Sequence, residues 1–221
     1  MAMRPYYYVS NGRVREQYVD FQWHAGLSAT QKKRSVRELH ETAFKEFNVR
    51  LLEVSSKSDE EIGEMLSAFN LRCGESTVEN YYQAGKIFEN GGPYEDLICC
   101  SPKEAKRDNR LKESGRIVGF HDFITGEDWS DAFYYELYIN ALKRQLSDDE
   151  LEQLVLYDGY TDIEFNPAKG INTQAKACAI VKLLIGMYGE IPELNKKDFE
   201  CFYKTFAMWP CLATGEETSI Y

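Results

Sequence analysis

Apolar residues crowd positions 6–9 and recur through 14–21, and Ser10-Asn11-Gly12-Arg13 separates the two runs. Asn-Gly between aromatic and β-branched runs predicts a type I′ turn, whose two central residues both take positive φ. A β-hairpin reaching about Trp23 is therefore expected. The period then changes. Val36, Leu39, His40, Ala43, Phe44 and Phe47 recur at three- and four-residue steps, which is the stripe of an amphipathic helix. Ser28-Ala29-Thr30-Gln31 supplies its opening box. His40, on or beside the stripe, reads as a packed histidine. Residues 49–54 read as a strand, and Ser58-Asp59-Glu60-Glu61 as the cap of a short helix through Leu66.

Ser76-Thr77-Val78-Glu79 again fits the box that opens a helix, and Asn90-Gly91-Gly92-Pro93 supplies a stop. On that helix Glu79, Gln83 and Lys86 are spaced by four and three, so they share one face with Tyr82 beside them. Val78, Tyr81 and Ile87 can turn inward. Further helices are expected over 103–113, opened by Ser101-Pro102-Lys103-Glu104, then over 132–144, from Ser147 to about Tyr157, over 173–188 and over 197–208. Residues 160–175 read as a polar loop between helices and 214–221 as a polar tail. The pattern predicts an α+β, predominantly helical single domain over 1–221. Its parts are a hairpin, helix and strand over about 1–60, a helical core over about 66–190, and a last helix and tail over about 191–221.

Composition narrows the function classes. A hydrophobic fraction of 43% and an aromatic fraction of 14% fit a globular chain. No apolar run approaches the ~20 residues of a membrane span, and the N-terminus lacks the apolar core of a signal peptide. A cytoplasmic protein is expected, as a monomer. The six cysteines have neither metal-ligand nor disulfide-framework spacing, so buried reduced thiols, no metal and no cofactor are expected. The net charge of −10 argues against a duplex-coating protein. Only Gln31-Lys32-Lys33-Arg34 and residues 103–110 form local basic patches.

The face at Glu79 presents a carboxylate, an amide, an amine and an aromatic ring. Taken alone, Glu79 is either a helix-capping acid or a proton carrier, and Lys86 either a solvated lysine or a nucleophile. The run Glu79-Asn80-Tyr81-Tyr82-Gln83-Ala84-Gly85-Lys86 resembles the E-H-Y-Y-Q-A-x-K-F signature of the NADAR family, with Asn80 in place of histidine and the final aromatic displaced to Phe88. Leu66-Ser67-Ala68-Phe69-Asn70-Leu71 resembles the family's L-S-N-F segment, Ala68 replacing asparagine and Asn70 offering an amide one step later. Ser101 to Arg110 resembles S-P-x-E-A-K-R-x-x-R. Asp162, Gly170 and Asn172 match D-x-x-W-G…G-x-N, with Phe165 and Asn166 in place of tryptophan and glycine. The resemblance spans about 66–187. Residues 88–93 and 161–167 are similar to the DarT-associated NADAR antitoxins, encoded beside a toxin that ADP-ribosylates guanine in DNA.

The resemblance implies a hydrolase that cuts the N-glycosidic bond between ADP-ribose and guanine. Lys86 would form a Schiff base, which requires its pKa to fall from about 10.4 through burial or a neighbouring cation. Glu79 and Asp162 would carry protons, with Glu164 an alternative to either. Tyr82 and Trp129 would offer aromatic surface, although Trp129 also reads as a core tryptophan. Gln83, Asn70, Asn166, Gly170 and Asn172 would supply polar contacts, and Lys106 or Arg110 would hold a phosphate. The implied partners are ADP-ribosylated DNA, the product ADP-ribose and a DarT-type toxin. Two other readings stand beside it. One is an N-glycosidase acting on a riboflavin-pathway metabolite or nucleotide; the other is a non-catalytic module that binds ADP-ribose or the toxin.

Overall fold

The computed structural model describes residues 1–26, 28–168, 170 and 172–208, so the expected tail at 214–221 lies outside the described residues. The hairpin forms as the sequence dictates. Strands β1 (Ala2–Ser10) and β2 (Arg13–Phe21) pair from Ala2–Phe21 to Ser10–Arg13, and Asn11 and Gly12 take φ of 51° and 65°. Helix α1 (Ala29–Phe47) starts where Ser28 accepts the Gln31 amide. Its packed stripe is Val36, Leu39 and Ala43, whereas Phe44 and Phe47 are exposed, so the inward stripe is shorter than expected. Strand β3 (Leu51–Glu53) follows, then α2 (Glu61–Met65). Ser58 receives the Glu60 amide and does not cap α2.

A short ladder of β4 (Arg72–Cys73) and β5 (Ser76–Thr77) leads into α3 (Val78–Ala84), capped by Thr77 and not by Ser76. The helix is also shorter than expected, because residues 86–88 form strand β6 (Lys86–Phe88). A 3-10 turn (Glu95–Cys99) precedes α4 (Pro102–Arg107), whose capping box at Ser101 forms as predicted. Asp108 and Asn109 separate α4 from α5 (Arg110–Glu113), so the single helix expected over 103–113 is two. Strands β7 (Ile117–His121) and β8 (Asp128–Trp129) complete a sheet ordered β6-β7-β8. Helices α6 (Phe133–Gln145) and α7 (Asp148–Val155) follow.

Strand β9 (Gly159–Thr161) corrects the reading of 160–175 as loop throughout. It lies between β1 and β3 in a sheet ordered β2-β1-β9-β3, antiparallel to β1 and parallel to β3. Helix α8 (Gln174–Tyr188), then α9 (Lys196–Phe202) with a π turn (Tyr203–Ala207), closes the described chain. Successive strand residues face opposite ways. Tyr6 and Leu51 pack with Val36, Leu39 and Ala43 of α1, while Tyr7 and Leu52 join α6 and α8. The architecture is α+β and predominantly helical. Among the described residues no helix is long and apolar enough to cross a membrane. The described cysteines are free, but Cys99 and Cys201 are exposed, against the expectation of buried thiols.

Candidate active site

The start of α3 is fixed by Asn80, which is fully buried. Thr77 Oγ1 donates to its side-chain oxygen at 2.7 Å, and its amide donates to the carbonyls of Leu97 and Cys100 at 2.8 and 2.9 Å. Asn80 therefore ties α3 to the 3-10 turn. Its neighbour Glu79 is only 5% exposed and makes no capping bond. Its Oε1 accepts from Gln83 Nε2 at 2.8 Å, and Gln83 Oε1 accepts from Lys86 Nζ at 2.7 Å. This is the amide orientation in which both bonds have a donor and an acceptor. Carboxylate, amide and amine thus form one chain, with Glu79 reaching Lys86 through Gln83.

Lys86 comes within reach because α3 stops. A side chain at Gly85 would place its Cβ 2.4 Å from the His121 carbonyl, and His121 N donates to Gly85 O at 2.7 Å. Only glycine allows that approach, so the chain leaves the helix at Gly85 and Lys86 begins a strand. The Lys86 ammonium sits 4.6 Å from the centroid of the Tyr82 ring. Burial pushes its pKa down to about 8; Glu79 opposes the fall and Lys106 adds to it. The Tyr82 ring stacks on Phe120 at 5.5 Å and meets Tyr134 edge-on at 4.9 Å. Burial raises the Tyr82 phenol to about 12, so it stays neutral, and its oxygen accepts from Asn172 Nδ2 at 3.0 Å.

Lys106 of α4 reaches Glu79 Oε1 at 3.5 Å and lies 5.0 Å from the Phe69 ring centroid, with its side chain 55% exposed. It is the cation at the rim. Its charge acts on both Lys86 and Asp162, disfavouring the ammonium of the first and favouring the carboxylate of the second.

Asp162 leaves the end of β9. Its carboxylate accepts from Thr173 Oγ1 and from the Glu164 amide, both at 3.1 Å. Behind it stands Glu53, buried in β3. Glu53 accepts from Ser55 Oγ at 2.6 Å, Thr161 Oγ1 at 2.7 Å and the Ile163 amide at 2.8 Å, so it grips the residues on either side of Asp162. Burial first, and the Glu53 charge second, push the Asp162 pKa up; Lys106 opposes. His40 Nε2 lies 2.8 Å from Thr161 Oγ1, and burial lowers its pKa to about 4. It is a packed histidine, as read from the stripe. Glu53 was not singled out from the sequence, though a charged residue within Leu51-Leu52-Glu53-Val54 is the signal that marks it.

The remaining expected site residues divide. Trp129 is 6% exposed, tilted against Phe133 and edge-on to Phe199, so it lies in the core and presents no plate. Asn70 is exposed and donates to the Glu64 carbonyl, apart from the Lys86 group. Arg110 is held by Asp96 and Asp108 and lies over the Tyr94 ring, which leaves Lys106 as the cation of the pair that meets the Lys86 group. Glu164 pairs with Lys32 at 2.7 Å. Asn166 receives the Ala168 amide, and Gly170 donates to the Asn166 carbonyl, in the loop that ends at Asn172. Phe69 and Tyr134 line the group without having been expected. Among the described residues no cluster of His, Cys, Asp and Glu is arranged to hold a metal ion.

A family model described as DarT1-associated NADAR antitoxin matches residues 2–208. No curated protein matches the chain significantly.

Proposed function

The chain belongs to the family of DarT1-associated NADAR antitoxins, and from that membership we propose that it removes ADP-ribose from guanine in DNA through an imine on Lys86. The family makes it an antitoxin of DarT-type toxins; the substrate and the chemistry are our reading. One observation carries it: the amine held by Gln83, with its pKa brought down to about 8. At that value about one amine in ten is neutral at pH 7, against about one in a few thousand for an ordinary lysine.

The anomeric carbon of the substrate bears the ring oxygen and a guanine nitrogen. Protonation of the ring oxygen opens the C–O bond and leaves an imine between that carbon and guanine. The neutral Lys86 amine adds to the carbon, the guanine amine departs with a proton, and a lysine imine remains. Water then hydrolyses the imine, releasing ADP-ribose and restoring the amine. Asp162, which keeps its proton to higher pH than an ordinary carboxyl, supplies the proton. Glu79 fixes the Gln83 amide and so the direction of the amine. Lys106 offers its exposed ammonium to a phosphate.

Catalytic amounts of the protein, incubated with an oligonucleotide ADP-ribosylated on guanine, are expected to release ADP-ribose and restore the unmodified strand in many turnovers. Stoichiometric binding without release would support a binding module instead. Turnover of free ribosylated metabolites, with the oligonucleotide untouched, would assign the site to a small substrate.

A further inference from the structure

The sequence carries two basic patches, and the fold treats them differently. In the first, Lys32 pairs with Glu164 and Lys33 with Asp59, which also takes Arg37 from the next turn. Two of its three cations are thus paired, and Arg34 is exposed. The second, on α4 and α5, keeps free charge. Lys103 and Arg107 are exposed, as is Lys112 on α5, and no side chain of the three has an ion-pair or hydrogen-bond partner among the described residues. Of the nearby acids, Glu104 is engaged in the Ser101 capping box and Asp108 with Arg110, while Glu113 beside Lys112 is exposed.

The placement matters as much as the charge. Lys106 is the α4 cation that reaches Glu79. On a helix, position 103 lies one turn before 106 on the same side, and 107 lies about 100° round. The free cations therefore flank the one at the rim of the site. Between them is a shallow depression of about 560 Å³, lined by Ser101, Lys103, Glu104, Arg107, Asp108 and Asn109. On a chain of net charge −10, most of the surface repels a polyanion, so unpaired cations gathered beside the site select where a phosphate chain can lie.

We infer that the outer face of α4, Lys103 and Arg107 with Lys112 beyond, binds the phosphodiester backbone flanking the modified base that enters at Lys86. The inference rests on the DNA reading of the site and extends it to a strand-binding surface. A few phosphate contacts guide a strand and set its register without holding duplex tightly, in keeping with the acidic composition.

The test compares two substrates, ADP-ribosyl-guanosine, which has no flanking phosphodiester, and a single-stranded oligonucleotide ADP-ribosylated on guanine. For Lys103→Glu/Arg107→Glu, kcat/KM on the oligonucleotide is expected to fall roughly tenfold or more at low salt, with its salt slope reduced by about 1 per lost contact. Turnover of the nucleoside is expected to stay at the wild-type rate. The neutral pair Lys103→Gln/Arg107→Gln is expected to show a smaller loss in the same direction, which separates charge from any cost of reversal to folding. Unchanged oligonucleotide kinetics, or an equal loss on the nucleoside, overturns the inference. If the wild type turns over neither substrate, the reading of the site fails. Fluorescence anisotropy of an unmodified labelled oligonucleotide then still decides the surface: weaker binding by the variant supports it, and equal or absent binding by both proteins overturns it.

Discussion

The two halves of the site hold their charges by opposite means. On α3 and β6, unlike charges are joined through a neutral amide: Glu79 holds Gln83, and Gln83 holds Lys86. At the ends of β3 and β9, two carboxyl groups are placed near one another, and Glu53 is satisfied only by neutral donors. Burial acts on both halves and favours the uncharged form in each. It loosens the proton on Lys86 and tightens the one on Asp162. The difference teaches that one physical cause, burial, shifts an amine and a carboxyl group towards their neutral forms from opposite sides of pH 7, the pairing that the imine chemistry proposed above would use.

The comparison breaks most visibly at the lysine. Lys86→Arg keeps the cation but cannot form an imine, and turnover is expected to fall roughly a thousandfold or more. Lys86→Met is expected to be equally inactive and yet to melt at a higher temperature at pH 7. The folded-state pKa of about 8 lies below the ordinary 10.5, so the unfolded chain binds more protons between those values and wild-type stability rises with pH across that window. The stability gain of Lys86→Met is thus complete below about pH 8 and fades as pH rises towards 10.5, which thermal melts at several pH values check.

Gln83→Leu removes the link between the two charges while keeping the volume. A loss in kcat of about a hundredfold is expected, because the amine is no longer aimed, and the fold should survive by circular dichroism. Glu53→Gln sharpens the other half. Burial raises the Glu53 pKa as well, so the two carboxyl groups share their charge; with the Glu53 charge removed Asp162 loses its proton at lower pH, and the alkaline limb of kcat/KM against pH should move down. The smallest effect is expected at Arg110→Gln, because its guanidinium is already committed to Asp96 and Asp108. Turnover should stay within about twofold of wild type, and stability should fall by about 1 kcal/mol or less.

These residues also show what was legible in the sequence. The hairpin turn at Asn11-Gly12 and the capping boxes at Ser101 and Ser147 are local decisions, made by side chains three residues from their partners. The Gln83-to-Lys86 pairing was also legible, although Lys86 makes it from strand β6 and not from the helix face expected. The end of α3 was not, because it is imposed by the His121 carbonyl against Gly85, a contact between segments far apart in the chain. Strand β9 is three residues long and exists because β1 and β3 flank it; its own propensity does not announce it. Glu53 belongs to the site only through Thr161 and Ile163, more than a hundred positions away. Trp129 fitted both a stacking plate and a core residue until its contacts with Phe133 and Phe199 were known.

The central claim is that Lys86 becomes covalently joined to the sugar during turnover. Borohydride added to the protein while it processes an oligonucleotide ADP-ribosylated on guanine reduces any imine to a stable amine. The account predicts an adduct heavier by one ADP-ribosyl group, mapped by peptide mass to Lys86 and absent from Lys86→Arg. No adduct, together with near-normal turnover by Lys86→Arg, would contradict it and leave direct hydrolysis assisted by Asp162 as the chemistry of the site.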